Sequence, residues 1–118
     1  MAEFILLLHT RPADWQTVDV AEMQRIIAKY RAWSGDLGAK GKLKGGFKLT
    51  EGGVRHMTRT GTGVVVADGP YAEAKDAIGG LFVLEAADMA EAEALAQSCP
   101  HLELGWIELR QVDDLGQR

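Results

Sequence analysis

Three sets of side chains in this chain have types and spacings that can carry chemistry. The first lies in the run Asp68-Gly69-Pro70-Tyr71-Ala72-Glu73-Ala74-Lys75. There Asp68 is a carboxylate placed to act as a general acid or base, with Lys75 or the distant Tyr30 orienting a substrate or giving up a proton. These three, Asp68, Tyr30 and Lys75, are the candidate catalytic residues. The second set is Trp106, Glu108 and Arg110, which alternate along one stretch and so share one face of a strand. A tryptophan beside two opposite charges suits neither open solvent nor a dry core; with His9 and Tyr71, Trp106 and Glu108 are the candidate substrate-binding residues. The third set, His9, His56 and His101, lies on separate segments without metal-ligand spacing, and no metal is expected.

Each set also has a plain structural account. Pro70 fits the first position of a helical turn, Gly69 allows a tight approach, and Asp68 can accept backbone N–H bonds there. Tyr30 sits in a helical stripe of large side chains, a pattern of core packing, with its hydroxyl at the edge. Gly79-Gly80 precedes a strand rather than a helix, so it is not a dinucleotide-binding loop. No nucleophile elbow, Walker loop or zinc motif is present, and no cofactor is expected.

The elements that must hold these residues follow from periodicity. Phe4 to His9 is an apolar run of strand length, ended by Thr10-Arg11-Pro12. Its short apolar stretch begins behind an acid and reads as a buried strand, not a signal peptide. Asp19 with Glu22 resembles a capping box, and Val20, Met23, Ile26, Ile27, Tyr30, Trp33 and Leu37 then recur at helical steps, predicting one long helix that closes near Gly38 or Gly41. Residues 43–50, 54–60 and 62–67 read as short strands separated by Gly52-Gly53 and Gly61. That region is locally basic, with Lys40, Lys42, Lys44, Lys48, Arg55 and Arg59 against Glu51, which fits either an anion site or lysines that protect an edge strand from aggregation. Residues 78–86 form the next strand, Asp88 and Glu91 cap a second, alanine-rich helix over 89–98, Pro100 stops it, and 104–112 is the last strand before a polar tail, 113–118.

Two strand-helix-strand units in one chain predict an α+β ferredoxin-like sandwich with an inserted β-hairpin. At 118 residues and 12.8 kDa, residues 1–118 fit a single domain. Two helices cover one face of such a sheet. Either Phe4, Leu6 and Leu8 or Ile5, Leu7 and His9 must then lie on the other face, and both sets are too apolar to leave in water. A back-to-back homodimer is expected to cover that face and to enclose a partly polar pocket for a small-molecule ligand. The net charge of −4 argues against a nucleic-acid partner, and no stretch approaches the length that spans a membrane. One cysteine, Cys99, fits a reducing cytoplasm and reads as a buried structural thiol.

On Asp68 to Lys75, Gly79-Gly80-Leu81-Phe82-Val83-Leu84-Glu85, Asp88 to Cys99-Pro100 and Ile107-Glu108-Leu109-Arg110, the chain resembles the YCII-related family, specifically its DGPF-domain branch, with Tyr71 in place of the phenylalanine that names the branch. The resemblance implies a dimeric α/β barrel and a cytoplasmic bacterial protein linked to extracytoplasmic-function sigma factors. Some relatives use a histidine and aspartate pair, and a few process lactones or remove halogen. The helix position that aligns with that histidine is Tyr30 here, so Asp68 needs another partner. Two functions are therefore expected. One is a cofactor-independent enzyme of isomerase, lyase or lactone-hydrolase type, acting on a small molecule in a pocket near Asp68. The other is a non-catalytic dimeric ligand-binding or regulatory module linked to sigma-factor-dependent transcription.

Overall fold

A computed structural model describes residues 1–11, 18–50, 53–68 and 77–114. Among these residues, six strands and two α-helices follow in the order β1 (Ala2–Thr10), α1 (Val20–Ala39), β2 (Leu43–Lys48), β3 (Arg55–Thr60), β4 (Gly63–Asp68), β5 (Ala77–Ala86), α2 (Met89–Gln97) and β6 (Trp106–Gln111), with a 3-10 turn, Pro100–Glu103, ahead of the last strand. β2, β5, β1 and β6 form one antiparallel sheet in that order, while β3 and β4 pair only with each other. With the β3–β4 hairpin set aside as an insertion, this is the ferredoxin-like α+β arrangement, the two central strands being the first of each strand-helix-strand unit.

The alternation of β1 decides which face meets the helices. Phe4, Leu6 and Leu8 are buried, with Phe4 and Leu6 fully so. Ile5, Leu7 and His9 therefore point to the opposite face, which neither described α-helix covers. In the register of the sheet, Leu6 lies opposite Phe82 and Leu109, and Phe4 lies opposite Leu84, so the covered face is continuous across three strands. Trp33 meets Phe82 edge-on, with centroids 5.0 Å apart, and its indole N–H donates to Ser98 Oγ at 2.9 Å, tying α1 to the end of α2. From α2 the sheet receives Ala92 and Ala96, whose small side chains let the helix lie close, and Cys99 completes this core beside them.

Both helices begin as their sequences require. Asp19 accepts from the Glu22 N–H at 2.8 Å and Asp88 from the Glu91 N–H at 2.9 Å. Only at α2 does the glutamate reach back: Glu91 accepts from the Ala87 N–H at 2.8 Å and from Lys42 at 3.1 Å, and these donors hold its carboxyl below the usual carboxylate range. At α1 the Glu22 carboxylate instead pairs with Arg25. The apolar stripe of α1 is narrower than its sequence suggests. Ile26, Trp33 and Leu37 are buried, but Val20 and Ile27 are exposed, Val20 because it stands in the first turn and Ile27 because it lies on the flank of the stripe.

Candidate functional site

The candidate site residues fall into three places. His9, Trp106 and Glu108 meet on the face of the sheet opposite the two described α-helices. β1 and β6 run antiparallel with His9 opposite Trp106 and Leu7 opposite Glu108, so the three side chains share a face by register alone. The His9 and Trp106 rings stack with centroids 3.9 Å apart and an interplanar angle of 8°, and His9 Nε2 lies 3.2 Å from Glu108 Oε1. Glu108 in turn receives Arg110 Nη1 on its other oxygen at 3.3 Å. A carboxylate can only accept, so it holds the proton of neutral His9 on Nε2 and leaves Nδ1 as the basic nitrogen. Around this group the same face carries Ile5, Leu7, Leu81 and Val83, all partly exposed, together with Phe47 and Ile78, which are more fully exposed.

Tyr30 lies on the other side of the sheet. Its hydroxyl is 2.7 Å from His101 Nδ1, and His101 Nε2 is 2.8 Å from the backbone oxygen of His9. The His9 carbonyl accepts only, so Nε2 of His101 carries the proton and Nδ1 accepts from the Tyr30 O–H. Burial keeps His101 in this neutral form by pulling its pKa below the usual histidine value, against the opposing effect of its bond to the His9 backbone. Burial likewise pushes the Tyr30 hydroxyl well above the ordinary tyrosine range, with Cys99 and Glu103 contributing. Sequence reasoning passed over His101 as one of three unconnected histidines. The available signal was Cys99-Pro100-His101, a proline-started turn next to Gly105, which brings an imidazole under the end of β1.

Asp68 stands in the third place, at the end of β4 on the inserted hairpin. Its side chain is 87% exposed and its carboxylate is 3.2 Å from Arg55 Nε, on the directly opposing residue of β3. Lys75 and Tyr71 lie outside the described residues. The basic segment resolves in part into ion pairs: Lys40, which caps the end of α1, with Asp36, Lys44 with Glu85 across neighbouring strands, and Lys42 with Glu91. Among the described residues, no group of three or more His, Cys, Asp or Glu side chains could hold a metal ion, and no helix is long and apolar enough to cross a membrane.

No curated protein matches the chain. Among solved structures, the 5-chloro-2-hydroxyhydroquinone dehydrochlorinase of Burkholderia phenoliruptrix AC1100, in complex with 2,5-dihydroxybenzoquinone, is similar in fold with a TM-score of 0.55 and 18% identity, over 94% of this chain and 93% of that one. The sandwich of two strand-helix-strand units has its counterpart in sequence as well: the YCII-related domain matches residues 2–115, and the chain belongs to the YCII-related family.

Proposed function

We propose that this chain is a small-molecule enzyme working by general acid–base chemistry without a cofactor, with His9 as the base, Glu108 as the carboxylate that orients it, and Trp106 as the aromatic wall against which a substrate is held. The observation that carries this reading is the 3.2 Å contact between His9 Nε2 and Glu108 Oε1 beside the Trp106 stack. A base oriented by a carboxylate is the minimum equipment for isomerisation, elimination or lactone opening, and such a group contributes roughly 10² to 10⁴-fold to a rate. The similarly folded dehydrochlorinase supports the elimination class among these.

A flat sheet face is a poor pocket, since ligand sites are concave and bury most of the ligand. The site is therefore completed by a second copy laid against the same face, which also removes its apolar side chains from water. In this scheme Asp68 is a second acid or base, Lys75 orients an anionic group and Tyr71 helps to bind the substrate. The test is a turnover screen over lactones, halogenated phenols and small enolisable acids with the wild-type protein, His9→Gln and Glu108→Gln. Loss of about two orders of magnitude in His9→Gln, with a smaller loss in Glu108→Gln, is expected; full activity in a folded His9→Gln protein would remove His9 from the mechanism.

A second reading is favoured by the same exposed apolar face: a dimer that binds a ligand or a regulatory protein without turning anything over. Recovery of a stoichiometric protein partner from cell extract, with no activity across the screen, would favour it.

A further inference from the structure

We infer that His101 is a positioning residue for His9: by donating its Nε2–H to the His9 carbonyl, backed by Tyr30 on its other nitrogen, it fixes the end of β1 and with it the orientation in which the His9 ring meets Trp106 and Glu108. The inference rests on the proposed role of His9 and concerns how that side chain is aimed.

Four observations combine. First, the pairing of β1 with β5 shifts register between Leu8 and His9, the extra residue being Gly79 of β5, so at this point the end of β1 keeps its regular pairing with β6 while the β5 side is irregular. Second, the His9 carbonyl at that point accepts from a buried side chain, His101, at 2.8 Å, and the acceptor nitrogen of the same ring is filled by the Tyr30 hydroxyl at 2.7 Å. Both nitrogens of His101 are thus satisfied in one orientation only, so the ring cannot flip without losing both bonds.

Third, the residue just before β6, Gly105, leaves room for this bond. A Cβ there would stand 2.0 Å from the His9 oxygen and 2.9 Å from His101 Nε2, so any side chain at position 105 must displace the histidine or the end of β1. Fourth, His101 is only 3% exposed and is packed on the helix-covered side, while the His9 ring stands on the opposite face with Trp106. A substrate on the open face cannot touch His101. Its influence passes through the backbone of His9, which makes it a positioning residue and not a catalytic one.

A histidine that merely fills the core would stabilise the fold without aiming His9, and the two roles are separable. In protein labelled with ¹⁵N-histidine, NMR reads the ring-current shift that Trp106 imposes on the His9 ring protons, and the ratio of its Nε2–H and Nδ1–H tautomers. His101→Gln carries an amide N–H that reaches about as far as Nε2, whereas the amide of His101→Asn is too short. The expected result is a His9 signal close to wild type in His101→Gln, and a signal moved toward the unstacked position with mixed tautomers in His101→Asn. Tyr30→Phe, which removes the support but not the donor, should give a smaller shift in the same direction. Identical, wild-type His9 signals in folded His101→Gln and His101→Asn proteins would overturn the inference. Should His101→Asn fail to fold, Tyr30→Phe decides by itself, an unmoved His9 signal overturning the inference. None of these readings needs a substrate, so they remain informative even if turnover proves independent of His9.

Discussion

His9 and Trp106 occupy directly opposed positions on β1 and β6, and their rings lie nearly parallel, 3.9 Å apart, on the side of the sheet that the helices leave uncovered. Trp106 remains 46% exposed, and Phe47 on the edge strand β2 is 69% exposed. With Ile5, Leu7, Leu81 and Val83 between those aromatic rings, this face has the composition common at interfaces.

The first prediction concerns that face. The wild-type protein should sediment at twice the 12.8 kDa of one chain. Leu7→Glu, which sets a second carboxylate beside Glu108 across the strand pair, should sediment as a single chain while keeping its helical circular dichroism. Leu7 is partly exposed in one chain, so the monomer tolerates the charge and the assembly does not. A wild-type protein that is monomeric at micromolar concentration would remove the second copy from the site.

Asp68 provides the second prediction. Its exposed pairing with Arg55 is of the kind that contributes little to stability. Asp68→Ala should therefore change the unfolding free energy by about 0.5 kcal/mol or less, measured by urea titration. A much larger loss would show that the carboxylate has a structural role beyond its pairing with Arg55. If stability is kept while turnover of a screened substrate falls, the residue belongs to the chemistry.

The fold could be read from the sequence because each element carried its own signal: the continuous apolar run of β1, the three- and four-residue steps of Met23, Ile26, Tyr30, Trp33 and Leu37, and the paired acids that open both helices. The open-face group was legible for the same reason, since period-two alternation puts Trp106 and Glu108 together wherever β6 lies. Their meeting with His9 depends on strand order and register, which only the folded sheet supplies. The link between Tyr30 and His101 was legible only as the proline-started turn at Cys99-Pro100-His101, which does not say what its imidazole meets. It joins residues 71 positions apart through a short 3-10 turn, and no local pattern marks an imidazole that will be satisfied by a backbone carbonyl on another strand. Asp68 drew notice because it stands in a distinctive motif, yet a motif marks kinship without saying which way its side chain faces.

Cys99 gives the third prediction. It is 3% exposed within the core cluster, and burial pushes its thiol above the usual range, against a weaker opposing bond from the His101 backbone. The thiolate is the reactive form, so the native protein should leave Ellman's reagent unreacted over hours at pH 8 and consume one equivalent when unfolded in guanidinium. Rapid reaction of the native protein would mean that the end of α2 opens readily.

The last prediction follows from the neutral state of His101. Its folded pKa lies below the ordinary value of 6.5 because burial penalises the charged ring, so on acidification the unfolded chain takes up this proton first. The contribution of the neutral, doubly bonded ring is fully present above about pH 6.5 and declines as the pH falls from there to the folded pKa, below which it changes no further. In wild type, stability measured by denaturant titration should fall between pH 7.5 and 5 more steeply than in His101→Gln, which has no proton to gain at that position. The wild-type slope should also carry a loss of the Tyr30 hydroxyl bond, since protonated Nδ1 can no longer accept it. Equal slopes in the two proteins would mean that His101 keeps the same proton affinity in the folded and unfolded chain, contrary to its burial between Tyr30 and the His9 carbonyl.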